Sequence, residues 1–237
     1  GGTIGQQISG HKDINAISFT GSVGVGQTIY MEAAKSMKKM QLEMGSKNPL
    51  VVMDDADLDI AVACATNGAY GGTGQKCTAS SRLIVHEKVY KEFIEKLIEN
   101  LKGLKVGHAL EESSQMGPVS SETQLQSNLD YIEIGKKEAT LAYGGNPMNM
   151  RTPGHYMEPT LFIDGNNKTT INQEEMFGPI ACVIPVKSYE EGLEVANDTI
   201  FGLSSGIITQ SLSKAADFKK NIKTGAVSYT HLRAHET

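Results

Sequence analysis

Polar and apolar residues alternate over residues 14–19, and apolar residues then recur at helical spacing over 23–37. A strand and a helix are therefore predicted on either side of Thr20-Gly21-Ser22. Residues 40–44 and 50–53 read as short strands, separated by a Gly-Ser-Lys-Asn-Pro break. Asp54-Asp55-Ala56-Asp57 supplies carboxylates for a helix start, and that helix runs to about Tyr70. A Gly-rich turn follows at 71–75, then a β-rich run at 82–86. Residues 87–104 are amphipathic, with Phe93, Leu97 and Leu101 on one face. A longer, more polar helix is predicted over 120–140 and a surface loop over 144–154. Beyond it, strands at 160–163, 180–186, 205–209 and 226–229 alternate with helices at 189–197 and 213–222. Strand–helix–strand order with linkers of this length implies a largely parallel sheet covered by helices, an α/β fold.

The chain has 237 residues, with 22 basic against 27 acidic side chains, a net charge of −5. That length can bury a sizeable core. Mild acidity without a basic run argues against nucleic acid as a partner. No run of about 18 apolar residues exists to span a membrane, and the N-terminus lacks the pattern of a signal peptide. Three cysteines without a CxxC pair point away from a structural zinc site or a disulfide framework. No metal site is expected, and the location is expected to be the reducing cytoplasm.

Cys77 lies in Thr73-Gly74-Gln75-Lys76-Cys77-Thr78-Ala79-Ser80-Ser81. A Gly-rich turn opening a short polar helical segment would leave free N–H groups near the thiol, able to favour the thiolate and later hold an oxyanion. The competing reading is a small buried hydrophobe, the usual state of a cysteine. Cys64 and Cys182 sit inside apolar runs and read as core. Glu43 interrupts an apolar run, and desolvation there would push it toward a useful base. From spacing alone the better reading is the outward residue of a half-exposed strand. Glu174-Glu175-Met176-Phe177-Gly178-Pro179 offers a carboxylate for ribose hydroxyls and an aromatic for a flat ring, or simply a charged loop before a buried strand. Phe19-Thr20-Gly21-Ser22-Val23-Gly24 is a strand-to-helix turn suited to a phosphate. In the last ten residues, His231 and His235 stand four apart, but Leu232 occupies the place where a zincin has its glutamate, so this segment is expected to be a frayed or foreign tail.

Taken together, Phe19-Thr20-Gly21-Ser22, Leu42-Glu43-Met44-Gly45-Ser46-Lys47-Asn48-Pro49, Gly74-Gln75-Lys76-Cys77 and Glu174-Glu175-Met176-Phe177-Gly178-Pro179 resemble the aldehyde dehydrogenase superfamily in order and interval, from about Gly1 to Val227. The run from Leu42 through Arg82 also resembles the branch that oxidises 2-oxoglutarate semialdehyde. The resemblance implies a parallel-sheet catalytic domain at 46–227, preceded at 1–45 by the end of a Rossmann-like dinucleotide domain, with 228–237 atypical and disordered. It implies Cys77 as nucleophile, with its N–H as one oxyanion donor, and Glu43 as the base that activates water against the thioester. It places Gly21 and Ser22 near the pyrophosphate and Met44 and Gly45 beside the nicotinamide. Glu175 and Phe177 fall at one ribose and Gln124 near the other. NAD or NADP is the implied cofactor and an aldehyde the substrate, in a homo-oligomeric parent. Family members are about twice this long, so the chain is expected to be an internal piece. The alternative is accordingly a non-catalytic truncated chain with at most residual thiol esterase activity. Ser46 stands where the family usually has Gly.

Overall fold

A computed structural model describes residue 1 and residues 3–230. The backbone separates into two compact units, Gly1–Gly45 and Ser46–Thr237.

In the first unit, helix α1 (Gly5–Gly10) precedes strand β1 (Ala16–Gly21), helix α2 (Val23–Ala34) and strand β2 (Lys39–Met44). β1 and β2 pair in parallel, from Ala16 opposite Lys39 to Gly21 opposite Met44. α2 stops earlier than its apolar spacing predicts. Met37 adopts a left-handed backbone, φ 54°, while Met37 N–H donates to Ala34 and Lys38 N–H to Ala33. This is a Schellman stop made without the usual glycine.

The second unit continues with β3 (Pro49–Val52), α3 (Leu58–Tyr70), β4 (Arg82–His86), α4 (Glu87–Gly103), α5 (Glu122–Glu138) and β5 (Thr140–Tyr143). Then come β6 (Pro147–Met148), β7 (Tyr156–Met157), β8 (Thr160–Ile163), α6 (Thr170–Gln173), β9 (Ile180–Val186), α7 (Tyr189–Asn197), β10 (Ser204–Ile208), α8 (Leu212–Asn221) and β11 (Ala226–Thr230). Seven strands form one sheet in the order β11-β10-β3-β4-β9-β8-β5. Every pairing is parallel except β5 with β8. The α/β class with a mainly parallel sheet is therefore what the chain adopts.

The strand period of two sorts side chains onto opposite faces. Leu50, Val52, Leu83 and Val85 join Ala65, Phe93 and Leu97 of α3 and α4 on one face. Val51, Ile84 and Ile184 join Ala196 and Phe218 of α7 and α8 on the other. Ile132 of α5 packs with Phe162, Ile180 and Cys182 in a third cluster. Helix starts are fixed locally: Asp57 accepts from the N–H groups of Asp59 and Ile60, and Ser188 accepts from Glu191.

Several expectations shift. The helix predicted to Thr140 ends at Glu138, because Ala139 is extended and Thr140 opens β5. Within and beyond the predicted loop, β6 and β7 form a short antiparallel hairpin. Ser228 and Tyr229, placed in a strand by pattern but in the tail by the resemblance, and Thr230, expected in the tail, are strand residues paired with Gly206 to Ile208. His231 and His235 lie outside the described residues. Among the described residues, no helix is long and apolar enough to cross a membrane.

Candidate functional site

The turn that leads to Cys77 runs through left-handed backbone, which is strained only at Thr73. Gly72, Thr73 and Gly74 all have positive φ, at 63°, 61° and 65°. A β-branched residue there is disfavoured, and the Thr73 hydroxyl is held by donating to Gly117 O at 3.2 Å. Gly74 has no alternative: a Cβ would stand 2.1 Å from Gly178 O. Gln75 exchanges two hydrogen bonds with Ser120, each 3.0 Å.

Cys77 then sits in a turn closed by Ala79 N–H donating to Lys76 O at 3.0 Å. It is not on a helical segment, as the sequence implied. Asn48, 1% exposed, donates from Nδ2 to Cys77 O at 2.8 Å and to Ala79 O at 2.9 Å, and its Oδ1 accepts from Ser204 N–H at 3.0 Å. The Cys77 residue is exposed, while Cys64 is half-buried and Cys182 buried. Burial pushes the Cys64 thiol up and the Cys182 thiol up to about 11.

The second element is the loop between α6 and β9. Glu174 accepts from Tyr131 OH at 2.8 Å. Glu175 is half-buried and Oε1 accepts from Ser46 N–H at 3.1 Å. Burial raises the Glu175 pKa, opposed by that hydrogen bond and by the Lys47 charge. Phe177 is left-handed, φ 51°, and 38% exposed. Its neighbour Gly178 packs so closely that a Cβ would lie 2.2 Å from Asn128 Nδ2. Gln124 donates to Met176 O at 3.1 Å and Asn128 Oδ1 at 3.0 Å, so its amide braces this loop. A cleft brings the two elements together, its walls including Ser46, Lys76, Ala79, Glu175 and Phe177.

In the first unit, strand pairing brings Glu43 opposite Thr20 and Met44 opposite Gly21. These residues, with Ser22 and Gly45, thus gather at the carboxyl ends of β1 and β2, where α/β sheets bind ligands. Ser22 begins α2 without a side-chain cap, leaving first-turn N–H groups available to an anion. Glu43 is on the exposed face of β2, so its apolar sequence neighbours do not bury it.

Asn48, Lys47 and Arg82 have no role in the sequence reading, although the first two stand inside a quoted motif. Arg82 is fully buried and donates to Lys47 O, Asn167 Oδ1, Val195 O and Ala196 O at 2.8–3.0 Å. Their only signal is polarity at the edge of apolar strands. A wider open groove between α7 and α8, lined by Tyr189, Glu190, Leu193, Glu194, Lys214 and Asp217, holds none of the assigned residues. Among the described residues, no group of three or more His, Cys, Asp or Glu is placed to hold a metal.

Residues 1–235 match the sequence profile of the "Aldehyde dehydrogenase family". Over 230 residues the chain is 44% identical to an "Alpha-ketoglutaric semialdehyde dehydrogenase" of Bacillus subtilis, covering 96% of this chain and 47% of that protein. It is 41% identical to an "Alpha-ketoglutarate semialdehyde dehydrogenase" of Haloferax volcanii, again over 96% of this chain and 47% of the relative. Among solved structures, betaine aldehyde dehydrogenase from Staphylococcus aureus in complex with NAD+ superposes with TM-score 0.93 at 33% identity, over 98% of this chain and 46% of that one. 1-Pyrroline-5-carboxylate dehydrogenase from Thermus with bound NAD gives TM-score 0.92 at 37% identity, over 96% of this chain and 45% of that one. The chain thus spans about half the length of the relatives it matches.

Proposed function

The chain belongs to the aldehyde dehydrogenase family, and from that premise we propose that its residues serve the NAD(P)-dependent oxidation of an aldehyde to a carboxylic acid. The observation that carries the reading is the exposed Cys77 on a braced turn, with Lys76 and Ala79 of that turn sharing a cleft with Glu175 and Phe177. Residues 46–227 act as the catalytic domain and 1–45 as the end of the dinucleotide domain.

Each of the two units, taken by itself, holds residues suited to part of a dinucleotide. Glu175 spends one oxygen on Ser46 N–H, which leaves the other for ribose hydroxyls. Phe177 offers an exposed ring, and the start of α2 offers unbonded N–H groups for the pyrophosphate beside Gly21 and Ser22. Met44 and Gly45 would hold the nicotinamide end, the place the family resemblance gives them. Gln124, assigned near the second ribose by the family resemblance, donates its amide to the Met176 carbonyl and so braces the Glu175–Phe177 loop. When bound, NAD+ or NADP+ accepts the hydride that the substrate carbon loses.

Cys77 attacks the aldehyde carbon as thiolate, forming a C–S bond and a tetrahedral oxyanion. Its own N–H donates to that oxyanion. Loss of hydride leaves a thioester on Cys77. Glu43 takes a proton from water, whose oxygen attacks the thioester carbonyl; the C–S bond breaks and the thiolate returns. The likeness to two semialdehyde dehydrogenases favours 2-oxoglutarate semialdehyde as substrate. Three free cysteines fit a reducing compartment such as the cytoplasm.

The test is mass spectrometry after incubation with 2-oxoglutarate semialdehyde and NAD+. Glu43→Gln is expected to accumulate an acyl group on Cys77, and Cys77→Ala to carry none. An acyl group placed elsewhere, or none in Glu43→Gln, overturns the assignment.

A further inference from the structure

Among the described residues, neither Cys77 N–H nor Thr78 N–H donates to any group of the protein. The reason lies in two carbonyls. In a planar trans peptide the C=O and the following N–H point in opposite directions, and the chain has no cis peptide. Lys76 O is held inside the turn by Ala79 N–H, which turns Cys77 N–H outward. Cys77 O is held inward by Asn48 Nδ2, which turns Thr78 N–H away from Asn48. The same amide nitrogen holds Ala79 O, and Asn48 Oδ1 is fixed by Ser204 N–H. The side chain is buried and every polar atom of its amide faces a backbone group of known sign.

We propose that Asn48 is a positioning residue for acyl transfer at Cys77: its amide locks the Lys76–Ala79 turn so that the N–H groups of Cys77 and Thr78 stay outward as donors to the oxyanion. The proposal rests on the reading of Cys77 as nucleophile. Deleting the amide donors frees the Cys77–Thr78 peptide plane to rotate, which removes an oriented donor without touching the thiol.

Two reactions of the same thiol in the 237-residue chain separate positioning from mere stability. With p-nitrophenyl acetate, the thiolate attacks the ester carbonyl, the new C–S bond forms through an oxyanion, and the C–O bond breaks with its electron pair leaving on nitrophenolate. The thiol proton goes to solvent. With iodoacetamide the thiolate displaces iodide at a saturated carbon, and no oxyanion forms. Asn48→Asp keeps the acceptor for Ser204 and loses both donated bonds. It is expected to slow acetylation of Cys77 by roughly tenfold or more, the scale of losing one oxyanion donor, with alkylation changed by less than about twofold. Asn48→Ser, which keeps one short donor, is expected to fall between the two and carries the same comparison if the Asp variant does not fold by circular dichroism. Equal slowing of both reactions, or unchanged acetylation, overturns the role of Asn48 while leaving Cys77 as nucleophile. Absence of an acetyl group on Cys77 in the unsubstituted chain sinks the nucleophile reading and this proposal together.

Discussion

Lys47 is buried, and its ammonium makes no hydrogen bond among the described residues. Burial drives its pKa down to about 7. An unfolded lysine keeps its proton up to 10.5, so between those values the unfolded chain binds the extra proton. Stability therefore rises with pH from about 7 to 10.5, by at most about 1.4 kcal/mol per pH unit. Lys47→Met should flatten that slope and stabilise the chain at neutral pH by about 1–3 kcal/mol. Urea unfolding of both proteins across that pH range checks it; parallel slopes would exclude Lys47 as the origin. The three thiols give a second residue-scale prediction. Iodoacetamide near neutral pH should modify exposed Cys77 first, Cys64 slowly, and Cys182 only on unfolding. Peptide mapping over time reads the order. Cys182 was legible as core because the strand period around it is unbroken, and Cys77 because glycine and polar residues surround it. The outward side of Glu43 was legible from its place in a half-exposed strand, and β2 does expose it.

Arg82 works between elements. Its guanidinium joins the start of β4 to the loop carrying Asn167 and to the last carbonyls of α7, where a cation also meets the negative helix end. Arg82→Lys supplies neither the fork nor the reach for four acceptors. It should cost about 3 kcal/mol or more in urea unfolding, the scale of breaking a buried charged network. Gly74→Ala tests the second junction. A methyl directed at Gly178 O must push the Cys77 turn and the Glu175 loop apart, and a positive φ adds strain. A loss of about 2–4 kcal/mol, with a slower Cys77 acetylation, is the expected outcome. Elements bounded by their own signals were readable from sequence. The centres of β4, β8 and β9 are apolar runs buried on both faces, and α7 starts on its serine cap. The β6–β7 hairpin, α6 and β5 were not, because partners far along the chain create them; α6, for instance, is held by the Glu138 carboxylate accepting from Thr170 and Ile171.

At the scale of the molecule, β11 closes one side of the seven-stranded sheet and has a strand neighbour on one side only among the described residues. Ser228 in it is exposed. Such edges recruit further strands, so sedimentation velocity should show association that grows with concentration. Ser228→Lys should weaken it; an unchanged profile would place the contact elsewhere. The order of strands in the sheet also differs from their order in the chain. β3 lies between β4, its near neighbour in sequence, and β10, with Asn48 and Ser204 standing 156 positions apart. A ribosome adding ~5–20 residues per second needs roughly 10–30 s to cover that interval. For the part of it that follows synthesis of Ala79, the nascent Cys77 turn has the Asn48 side chain but not the Ser204 N–H that fixes the far end of that side chain. The thiol therefore acquires its final setting only when the sheet closes, which ties the birth of reactivity to the completion of folding.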